Sequence, residues 1–146
     1  MKRLTLSAAE ALALVATALG MLHHFDHVLR FDHSGWPFRP EVNTFTYTLL
    51  IYPLIVVLFA ARGRPLLRVV LAFLLFMLPT LAHTLIETPA HQFDTWAHRP
   101  DVNLLSTSSP AFGSTAALLT VALSSATFLM FVAFWREYRA RGRAAV

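Results

Sequence analysis

His23-His24-Phe25-Asp26-His27 closes the first of four long apolar runs, and it has an echo sixty residues on. His83 and Glu87, near the end of the third run, stand at the same offset as His23 and His27. The offset continues into the loops. Trp36, Arg39, Pro40, Val42 and Asn43 recur as Trp96, Arg99, Pro100, Val102 and Asn103, and Glu41 is answered by Asp101. A polar pair at the end of an apolar run, repeated together with the loop that follows it, reads as a duplicated hairpin. The expected fold is therefore an all-α integral membrane protein, with four transmembrane helices arranged as two tandem repeated helical hairpins forming a bundle. Residues 1–146 make one domain, repeat one covering about 1–62 and repeat two about 63–146.

Composition supports the membrane assignment. Of the 146 residues 56% are hydrophobic and only 14% are charged, with mean hydropathy +0.57. A soluble domain carries roughly 45–50% apolar and about 25% charged residues, so the excess is what long apolar runs would produce. The expected spans run from about Leu4 to Leu29, Thr44 to Ala61, Leu66 to Glu87 and Pro110 to Trp135. There are no cysteines, which excludes thiolate metal sites, iron–sulfur clusters, disulfides and cysteine nucleophiles. No phosphate loop, serine-hydrolase elbow or nucleotide-binding glycine pattern is present.

The charge of +4 is distributed as a topology signal. Lys2 and Arg3 precede the first run, Arg62, Arg64 and Arg68 lie around the middle turn, and Arg136, Arg139, Arg141 and Arg143 follow the last. By the positive-inside rule these ends are cytoplasmic. Both termini then lie in the cytoplasm of a bacterial plasma membrane, with the two longer loops outside. The lipid bilayer is the expected partner, with a homodimer or a larger membrane complex as further possibilities and no role for nucleic acid. The basic start followed by an apolar run resembles a signal peptide. Cleavage is not expected, because Glu10 interrupts the run and removal would destroy one copy of the repeat.

All seven histidines fall in the outer half or the outer loops, as do Asp26, Asp32, Glu41, Glu87, Asp94 and Asp101. Polar groups at membrane depth are costly and mark function or specific pairing. On one helix, residues i and i+4 share a face. The pairs His23/His27 and His83/Glu87 thus offer three imidazoles and a carboxylate from two helices, a common way to build a metal centre in a bundle. The expected ligands are His23, His27, His83 and Glu87. Nitrogen and oxygen donors without sulfur suit zinc first, then iron or copper. Glu87, His24 and Asp26 are the candidates for moving protons if the site is catalytic, on a lipid-like or membrane-soluble substrate. Asp26 and Asp32 are candidates to orient the imidazoles, and Asp26 also faces Arg30 one turn away. Haem b held by two histidines, in an electron-transfer protein, is the alternative cofactor, and a non-catalytic accessory subunit of a membrane complex is the alternative role.

Other features have plainer readings. Ala9, Ala13, Ala16 and Gly20 share the His23 face, and small residues permit close helix approach in lipid. Glu10 is expected to pair with a cytoplasmic arginine such as Arg68. Thr44, Tyr47 and Thr48 can offer hydroxyls to the site. Pro53 and Pro79 should bend their helices. Thr120, Ser124 and Thr127 mark an interhelical seam. In the repeated loop, Asn43 and Asn103 are expected to cap the following spans, with guidance of an anionic substrate by Arg39 and Arg99 as the second reading.

Overall fold

The computed structural model describes residues 5–30, 35–38, 40 and 42–143. These residues are helical, with no strand among them, joined by short turns. The helices are α1 (Ala8–Leu29), α2 (Ile51–Ala60), α3 (Pro65–Leu81), α4 (Pro89–His98) and α5 (Pro110–Arg143). A tight 3-10 stretch, Thr44–Leu50, leads into α2, and a π turn, Ala82–Ile86, extends α3.

Three helices are long and apolar enough to cross a membrane: Ala8–Leu29, Pro65–Ile86 and Pro110–Arg143. They are consistent with an integral membrane protein. The second apolar run forms a shorter helix, Phe45–Ala60, whose first half winds as 3-10 and not as α-helix. Pro53 falls in the first turn of α2, where its missing N–H costs little. The irregularity expected at Pro53 therefore lies just before it. Pro79 sits inside α3, and the π turn begins three residues later.

α5 is the element that organises the packing. α1, α3 and α4 all pack against it, and α2 packs mainly on α3. The backbones of α1 and α3 are not among the extensive helix contacts; both lean on α5. On α1 the buried face is Ala9, Glu10, Ala13, Ala16, Gly20, His23 and His27, the small-residue face of the sequence. The matching face of α5 buries Gly113, Ala116, Thr120, Leu123, Thr127, Met130 and Phe134. Gly113 is required by geometry: a Cβ there would lie 2.6 Å from the Phe93 carbonyl oxygen, so α4 rests on α5 only because no side chain intervenes. Large apolar side chains such as Val15, Leu22, Leu118 and Phe128 are exposed, on faces that point away from the core.

The end where α1 begins is closed by ions. Ser7 caps α1 with a reciprocal capping box to Glu10. The Glu10 carboxylate also accepts from Arg62 Nε at 2.8 Å and from Arg68 at 2.8 Å. Arg68 is buried and lies 4.5 Å from the centre of the Phe134 ring. Glu10 thus takes the structural role expected of it, with Arg62 as an additional partner. Lys2 and Arg3 lie outside the described residues.

Candidate metal centre

Five segments converge at the opposite end, where α1 finishes: α1, the 3-10 stretch before α2, the π turn, α4 and α5. α1 supplies His23 and His27, one turn apart and both buried. Their Nε2 atoms are 2.9 Å apart. The π turn supplies His83, also buried, and Glu87 follows as its cap with its backbone N–H donating to the Ala82 carbonyl. A π turn widens the helix by one residue, and such turns recur at functional sites. His23, His27 and His83 each offer a ring nitrogen within 4.8 Å of the other two. The His23 ring meets the His27 and His83 rings edge-on, at centroid distances of 4.6 and 4.5 Å.

Glu87 stands beside this triad. Its Oε2 lies 3.7 Å from His27 Nε2 and 3.6 Å from His83 Nδ1. Its other oxygen accepts from Arg30. Arg30 is fully buried and reaches Asp26 as well, at 2.6 Å. Asp26 in turn accepts from the Trp96 indole N–H at 2.7 Å. The chain Trp96–Asp26–Arg30–Glu87 therefore ties α4 to α1 and to the end of α3. Asp26 is a partner of Arg30, as its spacing implied, and no contact with an imidazole is seen for it among the described residues.

Two residues that carried no site expectation complete the shell. Gln92 on α4 is fully buried, and its amide N–H groups donate to Glu87 Oε2 at 3.1 Å and lie 3.1 Å from His83 Nδ1. Thr120 on α5 donates its hydroxyl proton to Gln92 Oε1 at 2.6 Å. The Thr120 oxygen then remains an acceptor for His23 Nδ1, 3.4 Å away. With its proton on Nδ1, His23 turns an unprotonated Nε2 toward His27, the form a metal ligand requires. Gln92 was hidden because residues 88–109 read as loop. Thr88 followed by Pro89 is an N-cap and first-turn signal for α4, and it was the clue available.

The remaining candidates are scattered. His24 is half-buried and is not one of the three clustered imidazoles; it forms part of the wall of a cavity of about 40 Å³ that also touches His23, His27, Thr48, Tyr52 and His83. Thr48 thus reaches the cavity, whereas Tyr47 is exposed. His91 and His98 are on the surface, His98 paired with Asp94 at 2.8 Å. Arg99 is exposed beside Asp101, at 3.8 Å. Asp32, His33, Arg39 and Glu41 lie outside the described residues, so the roles expected of Asp32 and Arg39 have no structural counterpart here.

The two copies of the repeated loop do different things. Asn43 caps the 3-10 stretch, accepting from the Phe45 N–H at 2.9 Å. Asn103 does not cap a helix: it is fully buried and crosslinks its own loop through the Arg99 and Thr107 carbonyls. It also forms an isolated antiparallel bridge with Arg30. Trp36 is 44% exposed and Trp96 2% exposed.

Among the described residues this cluster carries two carboxylates, one guanidinium and three imidazoles, and the imidazoles are close enough to hold a metal ion. No family model matches the chain, and neither a curated protein nor a solved structure shows similarity to it.

Proposed function

We propose that the chain is an integral membrane metal-binding protein whose site lies at the outer membrane boundary. In this reading the shorter helix Phe45–Ala60 joins the three long ones as the second of four spans, and the sequence duplication records two ancestral hairpins. The termini are cytoplasmic, as the arginine distribution implies. From Ala8 to His23 the rise along α1 is about 22 Å, which sets the cluster near the far side of a hydrocarbon core about 30 Å thick.

The observation that carries the reading is the meeting of three buried imidazoles from two helices, with ring nitrogens within 4.8 Å of one another. Ring nitrogens brought this close are the arrangement that binding of one ion by three histidines requires. His23, His27 and His83 would hold the ion, with Glu87 as the fourth ligand or as the carboxylate that balances its charge. Thr120 keeps His23 in register through its Nδ1 atom, and Gln92 keeps Glu87 in register by donating to its carboxylate. The cavity of about 40 Å³ favours an ion over a haem. Zinc is the first expectation from the donor set, then iron or copper. A divalent metal there would supply Lewis acidity to a membrane-soluble substrate. Glu87 is placed to accept a proton beside the imidazoles, while Arg30 holds its carboxylate in position.

The test is elemental analysis with an absorption spectrum, on protein purified in detergent without chelator, for wild type and His83→Ala. About one equivalent of metal, lost in the variant, is the expected result. A Soret band would replace the metal reading with haem. Neither metal nor chromophore would leave the accessory-subunit role as the better account.

A further inference from the structure

The imidazole triad is at most 6% exposed, so a reactant does not meet it from open water. The cavity beside it shares His24, Leu49 and Tyr52 with a second, larger space. That space is a groove of about 500 Å³ along the outer third of α1, with Met21, Phe25 and Val28 on one side and residues 36–38 across its end. Its size falls within the range of small-molecule sites. Met21 and Phe25 are 59% and 57% exposed, on a helix long and apolar enough to cross a membrane. The groove therefore opens where lipid chains lie. Among the described residues no lining side chain carries a fixed charge, so nothing there matches a phosphate or ammonium head. The polar side-chain groups available are the His24 ring, the Tyr52 hydroxyl and the Trp36 indole N–H. His24 Nε2 is buried and has no hydrogen-bond partner among the described residues.

From this arrangement we infer that the groove holds the tail of an uncharged single-chain amphiphile, with a hydroxyl or carbonyl head directed at His24 in the wall of the metal cavity. Burying an unpaired polar nitrogen is unfavourable, and a head group that hydrogen-bonds there removes the penalty. Leu49 and Tyr52 are the remaining barrier, since the same two side chains line both spaces. The groove rests on the membrane reading alone, whereas the role of the head group beside the cluster rests on the metal reading above.

The test uses the full chain in lipid nanodiscs with a photoactivatable long-chain alcohol, mapping labelled peptides and assaying metal in the same samples. Labelling should concentrate on residues 21–28 and 49–52 and be competed by excess unlabelled alcohol. Met21→Trp, at an exposed position, should fill the groove and lower labelling at least several-fold with metal content unchanged. His24→Phe should preserve labelling by the tail but abolish the preference for an alcohol over a plain alkane. Equal, uncompeted labelling of the exposed α5 residues Leu118, Val121 and Phe128 would mean bulk lipid only and would overturn the proposal. Equal competition by an alkyl phosphate would overturn the uncharged head. Specific labelling of protein that holds no metal would sink the metal reading and leave the groove standing.

Discussion

The inner and outer ends of this bundle each bury a carboxylate against arginine, and they differ in what is left over. At the inner end Glu10 meets two guanidinium groups and a capping serine, and its oxygens are saturated by fixed protein donors. At the outer end Glu87 and Asp26 share one buried guanidinium, and three imidazoles crowd beside them. An acid saturated by protein donors is a clasp. On the proposed reading, carboxylates sharing one cation next to clustered nitrogen donors would make a receptor for a positive ion. Burial of charge alone therefore does not mark a site; the neighbouring imidazoles are what single out this end.

Perturbations that strike one end and spare the other would break this comparison. Arg30→Met should have the largest effect. It leaves Glu87 buried without its guanidinium, a defect of about 3–5 kcal/mol, read as a lowered midpoint of thermal denaturation in detergent. Restoration of the midpoint by added metal would sharpen the comparison further, because the ion would then replace the lost charge. Glu10→Gln removes the inner clasp and should destabilise by about 1–3 kcal/mol, while metal stoichiometry stays at the wild-type value. Loss of metal in that variant would mean the two ends are not independent.

Gln92→Leu keeps a similar volume but removes the amide that bridges Glu87, His83 and Thr120. Loss of such an outer hydrogen bond weakens metal affinity by about 10–100-fold, measurable by competition with a chelator. An unchanged affinity would show that the triad orients itself. Ser7→Ala should have the smallest effect, about 1 kcal/mol from a lost N-cap. It should leave metal affinity untouched, and hydrogen exchange at the first turn of α1 should rise.

The sequence reading went furthest where a physical pattern was local. The small-residue face of α1, the Glu10–Arg68 pair, the Asp26–Arg30 pair and the proximity of the histidines all follow from spacing and depth. It went least far where tertiary context decided. Residues 89–98 form a helix whose polar composition resembled a loop, and Gln92 came with it. Thr120 had the right face but its partner was invisible without α4. The repeat suggested equal roles for Asn43 and Asn103, yet one caps a turn and the other braces a loop and bridges to Arg30. The winding of the second apolar run as 3-10 was not written in its hydropathy, which specifies burial and not helix pitch.

The central place of α5 has a consequence for how the molecule is made. Synthesis runs from N- to C-terminus, so α1, α3 and α4 are complete before the helix they all pack against begins to emerge. Until Pro110–Arg143 arrives, Gln92 has no hydroxyl from Thr120, and the seat that Gly113 provides for α4 is missing. The link from Gln92 to Thr120 and the seat of α4 on Gly113 therefore cannot form until the last helix has been made.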